Sequence, residues 1–230
     1  MKVGFRITIF FLILSIAKVK SQDKFEANDY PTHIQYKKST KPLLIFISGD
    51  GGWNGFSVQL IQQLNQQGYP TVSLDSKKYF WNAKNPELFA KSMQQIIDYH
   101  LKLWNKEDFS IIGYSFGADV AAFLPNRFES STLNKLNSLV LISPGYSTGF
   151  EVKLMGMLSS SGPTNNEKYK VYPELLKMKK PVLCIFGSEE ENDFSKGLKE
   201  TDKIHKQIIP GGHHYDDDIK SLVIQIVKGL

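Results

Sequence analysis

Six apolar runs punctuate the chain after residue 40: PLLIFIS (42–48), YPTVSLDS (69–76), DFSIIGYS (108–115), LNSLVLISPG (136–145), PVLCIFG (181–187) and HKQIIPGG (205–212). Most are apolar at consecutive positions rather than alternate ones, which predicts strands buried on both faces. Helical spacing fills the gaps. Phe56, Leu60, Ile61 and Leu64 share one helix face, with Gly68 placed as its C-terminal cap. Residues 85–104 read as a long helix, with Pro86 in its first turn and Phe89, Met93, Ile96, Ile97 and Leu101 on one stripe. FGADVAAFLPNRF reads as a helix broken near Pro125. A short helix is expected around YPELLKM, and DDDIKSLVIQIVKG reads as a closing helix with three acids in its first turn. HIQYK (33–37) suits an edge strand. Residues 145–170 lose all periodicity and read as one long loop. Strands alternating with helices predict an α/β fold: a mostly parallel central sheet with helices on both faces, its ligand site at the carboxyl ends of the strands.

The N-terminus breaks this pattern. MKVGFRITIFFLILSIAKVKSQ carries Lys2 and Arg6 ahead of the apolar run Ile7–Ala17, with Val19 and Ser21 at −3 and −1 of a cleavage site before Gln22. This is the pattern of a signal peptide over residues 1–21, leaving residues 22–230 as the mature domain. The run is short for a bilayer span of about 20 residues, and no cysteine follows it for lipid attachment. Lys2, Arg6, Lys18 and Lys20 leave with the segment and no acid does, which lowers the formal charge of +5 to +1. A nearly neutral mature chain gives no reason to expect nucleic acid as a partner. Cys184 is the only cysteine, so the chain forms no internal disulfide, and its place inside PVLCIFG makes it a buried thiol. No Cys/His spacing fits zinc.

The candidate chemistry sits at strand ends. Gly113–Gly117, GYSFG, follows one strand and opens a helix, the context of a nucleophile elbow that presents Ser115 above the sheet. The amide of Phe116, at the helix start, is one oxyanion donor. An elbow calls for an acid after a later strand and then a histidine. SEEEND follows PVLCIFG and GGHHYDDD follows HKQIIP, in that order. Glu190, three residues after the strand-ending glycine, is the expected acid, with Asp193 the alternative. His213, directly after the glycine pair, is the expected base, with His214 the alternative. SGDGG (48–52) ends the strand before the first helix, where the second oxyanion amide belongs: Asp50, or alternatively Gly51. It lacks the lysine and hydroxyl residue of a phosphate loop and the spaced oxygens of a calcium loop. His33, His100 and His205 suit surface or capping roles. A serine hydrolase of this design needs neither metal nor organic cofactor.

SGDGGW, DSKKYFW, GYSFGADV, PNRF and PGGHHYDDD together resemble the bacterial virulence-protein family typified by VirJ and the C-terminal domain of AcvB, within the α/β-hydrolase superfamily. The resemblance runs from Ser48 to about Asp218. It implies an α/β-hydrolase fold with a minimal lid, export to the periplasm, and removal of the amino acid from aminoacylated phosphatidylglycerol at the membrane surface, chiefly the lysyl form. It also leaves room for secretion-system proteins as partners. The acid loop is richer in carboxylates than the family pattern, and HHY stands where HHF is expected.

Asp50, Glu189 and Asp216 are candidate receivers of a substrate ammonium, and Trp53 and Tyr114 are aromatic candidates for substrate contact. A helix-dipole role for Asp216–Asp218 is the plainer reading of those three acids. Of Tyr79, Phe80 and Trp81, at least two are expected to pack a helix onto the sheet, and Lys77, Lys78 and Lys84 lie close enough in sequence to meet a lipid phosphate. Asp119 suits a structural hydrogen bond, and Arg127 a carboxylate or phosphate. Two competing function classes are a binding protein on a hydrolase scaffold and a general esterase or thioesterase.

Overall fold

The computed structural model describes Glu26 and residues 29–152 and 167–230; the expected leader and most of the 145–170 loop lie outside them. The strands and helices run in the order β1 (Thr32–Gln35), β2 (Leu43–Ile47), α1 (Gly55–Gln66), β3 (Thr71–Leu74), α2 (Ser76–Tyr79), α3 (Pro86–Leu103), β4 (Phe109–Tyr114), α4 (Phe116–Ala121), α5 (Ser130–Leu133), β5 (Leu136–Ile142), β6 (Ser147–Thr148), β7 (Tyr169–Lys170), α6 (Val171–Leu175), β8 (Val182–Gly187), α7 (Asp193–Gly197), β9 (Ile204–Ile209) and α8 (Ile219–Lys228). Seven strands form one sheet in the order β1-β3-β2-β4-β5-β8-β9. Every pairing in it is parallel except that of β1, which runs antiparallel to β3 at the edge.

Alternate side chains of one strand feed two cores. Leu43, Ile45 and Ile47 of β2 join the core under α3 and α4. Leu44 and Phe46 join the core under α1 and α8. All five are fully buried, which is why β2 reads as an unbroken apolar run. Each such side chain contributes about 1.5–3 kcal/mol by leaving water.

Local signals set the helix ends. Asn54 caps α1 by accepting from the Ser57 amide, and Gly68 just past its end takes φ +97°. Asn85 caps α3 ahead of Pro86. Pro125 opens a single 3-10 turn, Pro125–Arg127, after α4.

The structure departs from expectation at four places. The closing helix starts at Ile219 with Asp218 as its cap, because Tyr215, Asp216 and Asp217 all take positive φ and form a separate 3-10 turn. Within the expected loop, β6 and β7 pair antiparallel. A short helix, α2, follows β3, capped by Asp75. His100 is buried in α3, its Nδ1 2.8 Å from the Ile96 carbonyl, rather than at the surface.

Candidate active site

Ser115 joins β4 to α4 in a left-handed backbone, φ 53° and ψ −123°. A non-glycine residue holds such a conformation only when its surroundings impose it. Here the imposed contact is backbone on backbone. A Cβ at Gly117 would lie 2.2 Å from the Ile47 carbonyl oxygen, and one at Gly113 2.5 Å from that of Gly117. Only glycine lets the helix start this close to the ends of β2 and β4.

The loop after β9 brings His213 over the elbow, with Nε2 2.9 Å from Ser115 Oγ. That is full hydrogen-bond length. Glu190, after β8, faces the other ring nitrogen, with Oε2 3.7 Å from Nδ1. This is an ion-pair separation, longer than a hydrogen bond. Gly187 permits the approach of the two loops, since a Cβ there would lie 2.4 Å from the Gly211 carbonyl oxygen.

Glu190 is held on its other oxygen. Oε1 accepts from the Ser143 hydroxyl at 2.5 Å and the Gly187 amide at 3.1 Å. With the Ser143 proton on Glu190, the Tyr215 hydroxyl donates to Ser143 Oγ at 2.6 Å, and the Ile185 carbonyl lies 3.2 Å from the same hydroxyl. Burial pushes the Glu190 carboxyl up, but His213, Ser143 and the Gly187 amide together pull it below its ordinary value. Asp193, the alternative acid, is exposed at the start of α7 and pairs with Lys196 at 3.4 Å. It is not brought to His213. His214, the alternative base, has Nδ1 3.1 Å from the Tyr114 hydroxyl and its ring edge on Phe56.

The loop after β2 closes the opposite side. A Cβ at Gly49 would lie 3.5 Å from Ser115 Cβ, so the loop borders the nucleophile. Ser48 ties it down, its Oγ accepting from the Ser76 amide at 3.0 Å and its carbonyl from the Ser76 hydroxyl at 2.6 Å. The amides of Asp50 and Phe116 have no acceptor among the described residues. Asp50 and Gly51 are exposed. Trp53 stacks on His33 with ring centres 4.5 Å apart, and both line a cavity of about 730 Å³ beside this loop.

The family model described as bacterial virulence protein (VirJ) matches residues 41–230. The chain belongs to the VirJ family. No curated protein matches it in sequence. Among solved structures, it is similar to a lipase-esterase related protein from Clostridium acetobutylicum, at 15% identity over 87% of this chain and 100% of that one, with TM-score 0.63. Est1E from Butyrivibrio proteoclasticus is 20% identical over 86% and 90%, with TM-score 0.58. A proline iminopeptidase from Mycobacterium smegmatis is 13% identical over 88% and 95%, with TM-score 0.58. At these identities the likeness is one of fold, the α/β-hydrolase fold.

Some expected contacts of this VirJ-family chain take other places. Tyr114 is 3% exposed, so it offers no substrate surface. Its hydroxyl instead donates to the His213 carbonyl at 3.1 Å and so holds the histidine loop. Asp216 is exposed but turns back on its own loop, accepting from the Gly212 amide at 3.4 Å. Asp218 caps α8 through the Ser221 amide, the helix-end role expected of the three acids, whereas Asp216 and Asp217 lie in the turn before the helix. Glu189 is exposed. Arg127 pairs with Glu87 at 3.1 Å and Glu174 at 3.0 Å, away from the elbow. Asp119 accepts the Gly145 amide at 2.6 Å. Burial pushes the Cys184 thiol up to about 12. Ser143 and Tyr215 were not singled out from the sequence. The available signal was position: Ser143 ends a strand next to the elbow strand, and Tyr215 lies two residues past the base.

Proposed function

We propose that the protein is an exported serine hydrolase that cleaves a carboxylic ester, with aminoacylated phosphatidylglycerol, chiefly the lysyl form, as substrate. The contact between Ser115 Oγ and His213 Nε2, 2.9 Å at a left-handed elbow, carries this reading. Ser115 attacks the ester carbonyl while His213 takes its proton. The negative charge of the tetrahedral intermediate falls to the amides of Asp50 and Phe116. Collapse breaks the ester bond, and His213 passes its proton to the leaving glycerol oxygen. Water, deprotonated by the same histidine, then releases the amino acid. Glu190 holds the imidazole and offsets the charge of the imidazolium.

Membership of the VirJ family and the exposed carboxylates Asp50 and Glu189 support a cationic acyl group. The leader pattern of residues 1–21 supports action on the outer side of the inner membrane, with residues 22–230 as the hydrolase domain. Among the described residues no helix is long and apolar enough to cross a membrane. The deciding assay follows loss of lysyl-phosphatidylglycerol from vesicles by the native protein and by Ser115→Ala. Loss only with the native protein is expected, and equal loss with both refutes the reading. A fluorophosphonate probe separates catalyst from binding scaffold, since it labels Ser115 of the folded protein only if that serine is activated.

A further inference from the structure

The wall formed by the loop after β2 and the segment after β3 has its own chemistry. The cavity of about 730 Å³ is lined there by Gly52, Trp53, Lys77, Lys78, Trp81 and Asn82. It falls within the size range of small-ligand sites. It is separated from the nucleophile by a single turn: Gly49 borders Ser115, and the Gly52 amide donates back to the Gly49 carbonyl at 3.0 Å. Gly52, at φ +73°, lies so close to Lys77 that a Cβ on it would sit 2.8 Å from Lys77 Cβ. Lys77 therefore stands directly behind the loop that closes the catalytic side.

The charges of this cavity do not cancel. Among the described residues Asp75 is its one carboxylate, and its interactions are local. It accepts the Lys78 amide at 3.3 Å, pairs with Lys78 Nζ at 3.5 Å, and faces His33 Nε2 at 4.0 Å. Burial holds His33 below its ordinary value, which leaves the ring neutral at pH 7. Lys77 is half-buried and has no acidic partner among the described residues. One uncompensated positive charge thus faces a concave surface. An anion of single charge seated in the cavity would balance it. The walls beside it are indoles: Trp53, fixed by its stack on His33, and Trp81, 52% exposed at the rim. Tyr79 and Phe80, its neighbours in sequence, are buried, so Trp81 is the ring of that trio left facing outward. Indoles beside a cation suit the boundary between a charged headgroup and acyl chains.

We propose that this cavity binds a singly charged phosphodiester, the headgroup phosphate of the leaving alcohol, with Lys77 as its cation and Trp53 and Trp81 flanking its glycerol and lipid side. The assignment rests on the ester-hydrolase reading above, and it names where the leaving half of that substrate lies. Water attacks the acyl-enzyme only after the alcohol departs, so this subsite governs affinity and the first half-reaction, not deacylation.

The test is a calorimetric titration of the full Ser115→Ala protein, which turns nothing over. Its ligands are dihexanoyl-phosphatidylglycerol below its micelle concentration and, separately, inorganic phosphate. Saturable binding of the short-chain lipid is expected, weakened at least tenfold by Lys77→Ala and by Lys77→Gln. Lys78→Ala, whose charge Asp75 already matches, is expected to weaken it less than threefold. Unchanged affinity in both well-folded Lys77 variants overturns the site, and so does Lys77-dependent binding of phosphate without binding of the lipid. The outcome is separable from that of the function itself. Lys77-dependent lipid binding by a protein that hydrolyses no lysyl-lipid keeps the subsite and removes the substrate. Lysyl-lipid turnover whose kcat/KM ignores Lys77→Ala keeps the substrate and removes the subsite.

Discussion

Two buried carboxylates adjoin the serine elbow and lie on opposite sides of the ordinary acid range. Glu190 receives the Ser143 hydroxyl and the Gly187 amide and faces His213. Asp119, one turn into α4, receives the Gly145 amide as its one donor among the described residues. Burial pushes both acids up. In Glu190 the donors outweigh it and the group stays below its ordinary value. In Asp119 burial wins over the single amide, the charge of Asp50 adds to it, and the carboxyl is pushed up to about 8. Burial alone therefore does not set the charge here; the donors and the facing charges decide it. The placement suits the proposed chemistry. A charge at Glu190 steadies an imidazolium, whereas a charge at Asp119 would add negative potential behind a developing oxyanion.

The largest effect expected from this contrast is on turnover. Glu190→Gln removes a charge with little change of shape, and kcat on an ester substrate should fall by about 10³–10⁴. Asp119→Asn replaces a carboxyl that is already largely neutral at pH 7 with a neutral amide, and kcat should stay within about threefold. Asp193→Asn, in the same acid loop, should stay within about twofold. Comparable losses for Glu190→Gln and Asp193→Asn would mean that the buried acid is not the one that matters. A large loss for Asp119→Asn would mean that its carboxyl acts on substrate.

A smaller effect comes from making Glu190 resemble Asp119. Ser143→Ala deletes one donor to the carboxylate. A hydrogen bond to a charged group is worth about 1.5–3 kcal/mol, so kcat should drop roughly 10–100-fold. KM should hold, because Ser143 is buried away from substrate. Tyr215→Phe acts one bond further back, through Ser143, and should cost about 3–10-fold in kcat. Steady-state kinetics on one soluble ester reads both. A rise in KM without loss of kcat would move these residues from positioning the acid to shaping the pocket.

Much of this arrangement is legible in the sequence. Runs such as PLLIFI betray strands buried on both faces, and the strand–turn–helix context of GYSFG marks the elbow. Order and offset point to Ser115, His213 and Glu190, and the fold brings them together at 2.9 and 3.7 Å. The choice of Glu190 over Asp193 depended on position in a turn, because both are acids of one loop and only packing buries one of them. Tyr114 misled because a residue inside a catalytic motif invites a substrate role, whereas its ring is clamped between Phe56 and the histidine loop. Beyond its place at a strand end, Ser143 carries no sequence signature: its role arises from β5 lying between β4 and β8, a pairing across distant residues. The three left-handed residues Tyr215–Asp217 were equally unreadable, since only glycine advertises positive φ.

The mildest test reads stability rather than turnover, and it needs no substrate. Asp119 keeps its proton in the folded state up to about pH 8, whereas the unfolded chain releases it near the ordinary value of 3.8. Between those values the unfolded state binds fewer protons, so this group makes stability fall as pH rises, and the fall levels off above about pH 8. Asn cannot ionise and keeps an oxygen for the Gly145 amide. The unfolding midpoint of Asp119→Asn should therefore exceed that of the native protein by several degrees at pH 8, and the gap should narrow toward pH 4. Glu190 runs the other way. Its ionised form stabilises the fold above the ordinary value of 4.5, and that contribution is lost only as pH falls through its lower folded value. Glu190→Gln should thus be the less stable protein at pH 6–8, with the deficit closing in acid. Scanning midpoints of the three proteins from about pH 2 to pH 9 covers the acid window of Glu190 and the wider window of Asp119, and sets the two slopes side by side. Opposite signs follow from the donors and charges around each carboxylate, and slopes of the same sign would show that burial alone governs both.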